Sequence, residues 1–394
     1  MIFMVALLLT IVLAIILIPI FVLLLQSFLA LTAKRGDTVA PGPRPRVAVL
    51  VPAHNEEAGL AATLASLIPQ LQPGDRLLVV ADNCDDDTAG VARRAGAEVR
   101  ERSHATERGK GYALDFGVRS LADAPPEVLI IVDADCLAAD GALAKLAHEA
   151  AALQRPVQAL YLMYAPGGSL MKKIAEFAWV VKNQVRPLGF HRLGLPCQLM
   201  GTGMAFPWSI ISRAALANGH IVEDMKLGLD LALAGQPPRF CPGALVSSTF
   251  PTSQAGTDSQ RTRWEHGHLS MIVAEAPRLL WRGLAKGSVK SVAMALDLCV
   301  PPIALLCLLT LAVSALAALF AAFTGALAPL LLAGVALGAL GLAVVLAWAG
   351  FGRAILSAGD LLTAVLYMFA KIPLYLRFLI NRQVEWVRSK RDNE

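Results

Sequence analysis

Glu127-Val128-Leu129-Ile130-Ile131-Val132-Asp133-Ala134-Asp135 is an apolar run that stops abruptly at two carboxylates spaced by one small residue. A continuous β-branched run of this length suits a central strand covered on both faces, and in open α/β sheets ligands gather beyond the carboxyl ends of such strands. Asp133 and Asp135 therefore stand where a ligand would be. Carboxylates this close repel one another unless a cation lies between them, and their hard oxygens favour Mg²⁺ or Mn²⁺, which in turn hold phosphate oxygens. The chemistry implied is diphosphate binding. The same residues also fit a strand end running into an Asx-type turn, with Asp140 as the next N-cap, so the neighbours along the chain have to decide.

At 394 residues, 56% hydrophobic and 16% charged, the chain is too apolar for an ordinary soluble protein, in which charged residues make up about a quarter. The apolar excess lies at the two ends and leaves a middle of normal polarity from residue 34 to 290. One soluble domain framed by membrane segments follows. The six cysteines (Cys84, Cys136, Cys197, Cys241, Cys299, Cys307) form no C-x-x-C pair, which suggests neither disulfides nor structural zinc and suits a reducing cytosol. The net charge of +5 is modest. Basic residues thicken beside the apolar ends rather than interleaving with aromatics, which points to anionic lipid headgroups and away from nucleic acid.

Met1 to Leu31 is almost wholly apolar and exceeds the about twenty residues that cross a hydrocarbon core. Residues 1–33 thus read as a transmembrane helix, too long and too poor in preceding positive charge for a cleaved signal peptide. Lys34, Arg35, Arg44 and Arg46 follow at once, so the positive-inside rule puts the middle domain in the cytoplasm, beyond a stiff linker Pro41-Gly42-Pro43-Arg44-Pro45. A first strand over Arg46–Pro52 turns through His54-Asn55-Glu56-Glu57 into a helix reaching Ile68, and a second over Arg76–Asp82 ends in Asp82-Asn83-Cys84-Asp85-Asp86-Asp87. Glu56 and Glu57 are equally explained as acids complementing a helix dipole. After a short strand over Ala97–Arg100, Gly109-Lys110-Gly111 lets the backbone approach a ligand and offers a point charge to a phosphate; a solvated helix start fits as well.

Beyond Asp135, a helix from Asp140 to Leu153 and a strand over Val157–Met163 continue the alternation that means a mostly parallel, Rossmann-like sheet. Ser169–Val185 is amphipathic and suits a membrane interface or the soluble domain's surface. Gly201-Thr202-Gly203 is small enough to let a bulky substrate near the backbone. Val222-Glu223-Asp224 opens a helix ending near Ala234-Gly235, where the dipole favours a carboxylate, and Asp224 reads as a general base or as a plain dipole partner. Gln260, Arg263 and Trp264 fall on adjacent turns of one helix and combine an amide, a guanidinium fork for a diphosphate and an indole face for a sugar ring. His266 and His268, spaced i, i+2, share no helix face and read as structural.

Residues 271–297 hold a basic amphipathic stretch with Arg278, Trp281, Arg282, Lys286 and Lys290, again interface-like. Leu298–Gly352 contains no charged residue and provides two spans over 298–352 joined near Thr324-Gly325-Ala326. Residues 353–394 are expected to hold an interfacial or re-entrant helix over Leu361–Ile380, with a fourth span as the alternative, and then a basic cytoplasmic tail with Arg382, Arg388, Lys390 and Arg391.

The order of these signals, from the N-E-E turn through Asp82, Lys110, Asp133-x-Asp135 and Glu223-Asp224 to Gln260-x-x-Arg263-Trp264, resembles the family 2 glycosyltransferases. That membrane-bound group includes cellulose, hyaluronan and poly-N-acetylglucosamine synthases and ceramide glucosyltransferase. The likeness covers roughly residues 46 to 290, and the Gln260-x-x-Arg263-Trp264 box with its spacing from the acids is its most specific part. It implies a GT-A fold for a cytoplasmic domain over 34–270. It also implies inverting transfer of a hexose from a UDP-sugar, UDP-glucose being favoured, with Mg²⁺ or Mn²⁺ on Asp133 and Asp135. By the same likeness Glu56 and Asp82 match positions that hold the uridine, and Lys110, Asp133, Asp135, Gln260 and Arg263 attend the donor. Asp224 is the catalytic base beside Glu223, Arg263 stabilises the leaving group, and Trp264 with Gly201, Thr202 and Gly203 shapes the acceptor end. Val222 departs from the threonine of many synthases, and three spans are few for a translocation channel. A lipid-linked acceptor at the cytoplasmic face of a bacterial inner membrane, in exopolysaccharide assembly, is therefore expected. A processive synthase whose channel needs an oligomer or a secretion partner, and an inactive nucleotide-sugar-binding membrane protein, are the alternatives.

Overall fold

Short β-branched runs separated by amphipathic helices assemble into one eight-stranded sheet. The computed structural model describes residues 2–33, 42–251 and 254–380; Lys34, Arg35 and the basic residues expected beyond position 380 lie outside them. The chain forms two compact units, one built on the sheet from residues within 42–164 and 196–267, the other helical from residues within 2–33, 165–195 and 268–380. After α1 (Ile2–Thr32) come β1 (Val47–Ala53), α2 (Leu60–Leu67), β2 (Arg76–Asp82), α3 (Thr88–Arg94), β3 (Glu98–Arg102), α4 (Lys110–Ser120) and β4 (Val128–Ile131). Next are β5 (Leu137–Ala138), α5 (Ala142–Leu153) and β6 (Val157–Tyr164). The chain then runs through α6 (Leu170–Val180), a π-helical turn (Val181–Val185) and α7 (Arg186–Arg192), and returns with β7 (Met204–Pro207), α8 (Trp208–Ile211), α9 (Glu223–Leu233), β8 (Arg239–Thr249) and α10 (Gln254–Ala274).

The strand order is β3-β2-β1-β4-β7-β6-β8-β5. β1 pairs in parallel with β2 and β4, and β2 with β3, so the acids ending β2 and β4 emerge on one edge, where ligands gather in sheets of this type. Val128 through Val132 are fully buried, as a strand covered on both faces must be, and Ala113, Leu114 and Val118 of α4 pack into the same core. β7 runs antiparallel to β4 with Ile131 opposite Met204. That register carries Gly201-Thr202-Gly203, the residues just before β7, to the tip of β4. Two expected boundaries move. α2 starts at Leu60 behind Gly59 rather than in the N-E-E turn, so Glu56 and Glu57 lie outside its first turn, and Gly141, not Asp140, precedes α5.

The helical unit adds α11 (Ala276–Ala285), α12 (Val289–Leu298), α13 (Ile303–Thr324), α14 (Ala328–Ala347) with a π-helical turn (Trp348–Gly352), α15 (Ala358–Ala370) and α16 (Ile372–Ile380). Gly325, at φ 73°, closes the turn between α13 and α14 as expected. Leu13, Ala317 and Ala333 are buried together where α1, α13 and α14 meet, the close packing that small residues allow between apolar helices. Among the described residues, four helices are long and apolar enough to cross a membrane: Ile2–Thr32, Ile303–Thr324, Ala328–Gly352 and Ala358–Phe378. The fourth is the segment expected at an interface, and its length and composition meet those of a span although Lys371 divides it into α15 and α16. α6, open to either environment on sequence, belongs to the helical unit and buries Ile174, Phe177 and Val180.

Asp297 ties this unit together. Its Oδ1 accepts from Gln26 Nε2 at 2.8 Å, from Arg186 Nη2 at 2.9 Å and from Arg186 Nε at 3.2 Å, all buried. Removing one member of such a pair strands a buried charge at a cost of about 3–5 kcal/mol, whereas an apolar pair of similar volume avoids it. Asp297→Ala is therefore expected to lower unfolding free energy in detergent by about that amount, and Asp297→Leu with Arg186→Met to recover most of it.

His268 on α10 is buried, with Nε2 3.1 Å from the Leu298 carbonyl oxygen. Burial, Lys182 and Arg186 push its pKa down to about 3, against the pull of Asp297. The folded value lies below the ordinary one near 6.5, so the neutral ring's contribution is complete above pH ~6.5 and fades as pH falls toward 3, by on the order of 1.4 kcal/mol per pH unit. Thermal unfolding between pH 7 and 5 is expected to show a shallower loss of stability in His268→Gln than in the parent.

Candidate functional site

The loops after β1 and β2 are bound to each other. Asn55 and Asn83 adopt left-handed φ values of 54° and 53°, a conformation asparagine tolerates. Asp85 N donates to Asn55 Oδ1 at 2.7 Å, Glu57 N to Asp86 Oδ2 at 3.0 Å, Asp87 N to Glu57 Oε2 at 3.2 Å and Glu56 N to Thr88 Oγ1 at 2.7 Å. Glu57 is thus committed to the loops, while the Glu56 side chain is buried beside them. Asp82 is buried as well, and its Oδ1 accepts from Arg102 Nη1 at 2.8 Å and Asn83 Nδ2 at 3.1 Å. Arg102, which also bonds Glu107 and stands 5.5 Å over the Tyr112 ring, carries no sequence signal. It is one arginine at a strand end, recognisable only by the partners that the parallel β2–β3 ladder gives it.

A second group gathers at the tip of β4. Lys110 Nζ lies 2.5 Å from Asp133 Oδ1, donates to the Gly201 carbonyl at 2.8 Å and lies 3.8 Å from Glu223 Oε1. A methyl group built on Gly201, whose φ is 90°, would stand 3.3 Å from Asp224 Oδ2, 3.6 Å from Lys110 Nζ and 3.8 Å from Asp133 Oδ2. Residues from three other stretches of sequence therefore meet around one glycine. Burial pushes Glu223 up to about 7 despite Lys110 and with help from Asp224. Burial likewise raises Asp133, with Lys110 opposing and Asp135 assisting. Lys110 is shifted upward because Asp133 and Glu223 outweigh its burial.

Thr202 holds this group from below. It is fully buried, and its Oγ1 accepts from Asp133 N at 3.0 Å while its carbonyl accepts from Gln158 Nε2 at 2.9 Å. Gly203 faces the sheet, where a Cβ would come within 2.7 Å of Ala159 Cβ and 2.9 Å of Val246 Cγ2. Within Gly201-Thr202-Gly203, three of the four residues expected at the acceptor end, Gly201 is the one that borders the acidic side chains. Asp135 is exposed, and the ligand atoms of Asp133, Asp135 and Cys136 lie within 4.8 Å of one another.

Gln260, Arg263 and Trp264 all lie on α10. Gly267 follows at the same helical spacing, so the four share one face. A methyl group on Gly267 would overlap Val222 Cγ1 and stand 3.3 Å from Val222 Cγ2. That face is therefore the one applied to the residue preceding Glu223 and Asp224. Arg263 Nε is buried on it and makes no hydrogen bond among the described residues. His266 and His268 are buried in the protein, in keeping with a structural role. Gly267 was not singled out by motif, since a helical glycine shows its purpose only when its neighbour is known.

The family described as "Glycosyltransferase like family 2" matches residues 43–267. A probable glycosyltransferase of Bacillus subtilis is 25% identical over 243 residues, which cover 58% of this chain and 56% of that protein; the chain thus spans little more than half the length of that relative. An uncharacterized glycosyltransferase of Mycobacterium tuberculosis is 31% identical over 200 residues, covering 46% of this chain and 85% of that protein. Among solved structures, a mannosyltransferase from Pyrobaculum calidifontis in complex with GDP-Man and Mn²⁺ superposes with a TM-score of 0.56 at 20% identity, over 95% of this chain and 100% of that one. The likeness shows a shared GT-A fold.

Overpacking a close contact costs about 1–3 kcal/mol. Gly267→Ala is expected to lower unfolding free energy within that range, and Val222→Ala added to it to recover more than half. A double-mutant cycle by thermal unfolding measures this coupling.

Proposed function

The chain belongs to glycosyltransferase family 2, and on that footing we propose that it moves a hexose from a nucleoside-diphosphate sugar to an acceptor hydroxyl with inversion at the anomeric carbon. The observation that carries this reading is the meeting of Lys110, Asp133, Gly201 and Asp224 around one small space at the carboxyl edge of the sheet.

The donor set suits a divalent ion. Asp133 Oδ1 is buried and paired with Lys110 Nζ at 2.5 Å, and Asp135 adds a second hard oxygen within reach. Asp133 and Asp135 would hold Mg²⁺ or Mn²⁺, which when bound supplies neutralisation of the diphosphate's charge.

The chain's own residues do the rest. Asp224 accepts the proton of the acceptor hydroxyl as that oxygen attacks the anomeric carbon from the face opposite the diphosphate. The bond from the anomeric carbon to the diphosphate oxygen breaks, and the nucleoside diphosphate leaves with the electron pair. Arg263, whose Nε has a bond to give, faces the departing charge together with Gln260, and a fixed donor in a site shielded from water stabilises such charge strongly. Glu223 holds Lys110 beside the phosphates. Glu56 and Asp82, fixed by the bound loops and by Arg102, receive the nucleoside, while Trp264 and Gly201 border the acceptor.

UDP-glucose is the proposed donor and a lipid-linked hydroxyl the proposed acceptor, with the sheet unit in the cytoplasm of a bacterial cell and the product entering an exopolysaccharide. Supporting the lipid acceptor are the four helices long and apolar enough to cross a membrane within the same chain.

Purified protein in lipid, given Mg²⁺ or Mn²⁺ and a panel of UDP- and GDP-sugars with extracted acceptor lipids, is expected to release nucleoside diphosphate and add one sugar to a lipid. Asp224→Asn is expected to lower turnover by about 10²–10⁴-fold, the usual contribution of a positioned base, and a chelator to abolish it. A ladder of lengthening product would replace this reading with a processive synthase, and binding without turnover for every donor would replace it with a binding protein.

A further inference from the structure

Resting on that assignment of the acids, we propose that Lys110 is the resident cation of the metal-free site: its ammonium and a divalent ion compete for Asp133, and metal binding releases Lys110 toward Glu223 and the donor's phosphates.

Lys110 stands in a place that lysine does not favour on local grounds. It is the first residue of α4, where the partial positive charge of the helix end repels a cation. What keeps the ammonium there is the acid cluster, since Asp133 Oδ1 is 2.5 Å away and Glu223 Oε1 3.8 Å away. The Gly201 carbonyl gives it a third oxygen at 2.8 Å. The pairing with Asp133 is to a buried carboxylate oxygen, the same atom that a divalent ion would take. One carboxylate oxygen that holds an ammonium at that distance cannot take a second cation without bringing two positive charges together, which a poorly solvated setting makes costly.

The backbone around Lys110 confines the response to the side chain. Gly109 has φ 118°, in the region open to glycine. A methyl group on Gly111 would lie 2.5 Å from the Asn218 carbonyl oxygen and 2.6 Å from that of Leu216, so the start of α4 is wedged against that segment. The Cα of Lys110 is thereby fixed, and its flexible four-carbon stem is left to change partner. Glu223 is the alternative partner already in place, on the helix that carries Asp224. Lys110 thus has two roles in sequence, counter-ion to Asp133 before the metal arrives and phosphate ligand afterwards.

The test is Mn²⁺ binding to the full chain in detergent without any donor, read as free Mn²⁺ by electron paramagnetic resonance. Lys110→Met is expected to bind Mn²⁺ at least tenfold more tightly than the parent, Lys110→Arg to stay within about threefold of it, and Asp133→Asn to lose binding. Lys110→Gln serves as the second neutral variant should Lys110→Met fail to give a folded protein by circular dichroism. Neutral variants with unchanged or weaker affinity would overturn the competition while leaving the metal site standing. A parent that binds no Mn²⁺ would overturn both.

Discussion

Ile131 lies opposite Met204 in the antiparallel ladder between β4 and β7, and most of what the molecule presents at its sheet edge depends on that register. β4 alone would deliver Asp133 and Asp135 to an open strand end. With β7 beside it in the reverse direction, the residues that lead into β7 fold over the same tip. The Thr202 hydroxyl then accepts the Asp133 amide, and the Gly201 carbonyl comes within reach of Lys110. A slip of one residue would turn Thr202 to the opposite face and leave the Asp133 amide, at a partly buried position, without this acceptor.

The charges gathered there are unequal. Asp133, Glu223 and Asp224 surround the single ammonium of Lys110, with Asp135 exposed alongside. Burial holds Glu223 near 7 and raises Asp133, which is how a protein accommodates carboxylates that it cannot fully compensate. An excess of acid of this kind disposes a site toward cations. The loops after β1 and β2 show the contrary case, in which Asn55, Glu57 and Asp86 accept hydrogen bonds from the backbone of the facing loop.

Much of this was legible beforehand. The uninterrupted runs at β1, β2 and β4 carry their own periodicity, and a charge-free stretch of the length of 298–352 admits little besides spans joined by Gly325. Lys110, Asp133 and Asp224, each singled out in the sequence, lie together around Gly201. What was hidden depends on partners distant in sequence. Glu56 and Glu57 resemble the acids of a first helical turn, yet the amides of both are taken by Thr88 and Asp86, so α2 starts later. Arg102 has no motif, and nothing in Gly201-Thr202-Gly203 shows beforehand that the Thr202 hydroxyl accepts the Asp133 amide. The segment over 361–380 is expected at an interface, with a fourth span as the alternative, because Asp360, Lys371, Pro373 and Arg377 punctuate it, and the helix pair over 358–378 has the length and apolar content of a span.

Gly267 and Val222 are 45 positions apart in the chain and meet where α10 lies on the start of α9. Their contact is as much a constraint on inheritance as on shape. Gly267 can gain a side chain only if Val222 gives way, so among descendants of this sequence the two sites are expected to change together. A catalogue of tolerated substitutions at one of them would therefore be valid only for the partner it was measured with.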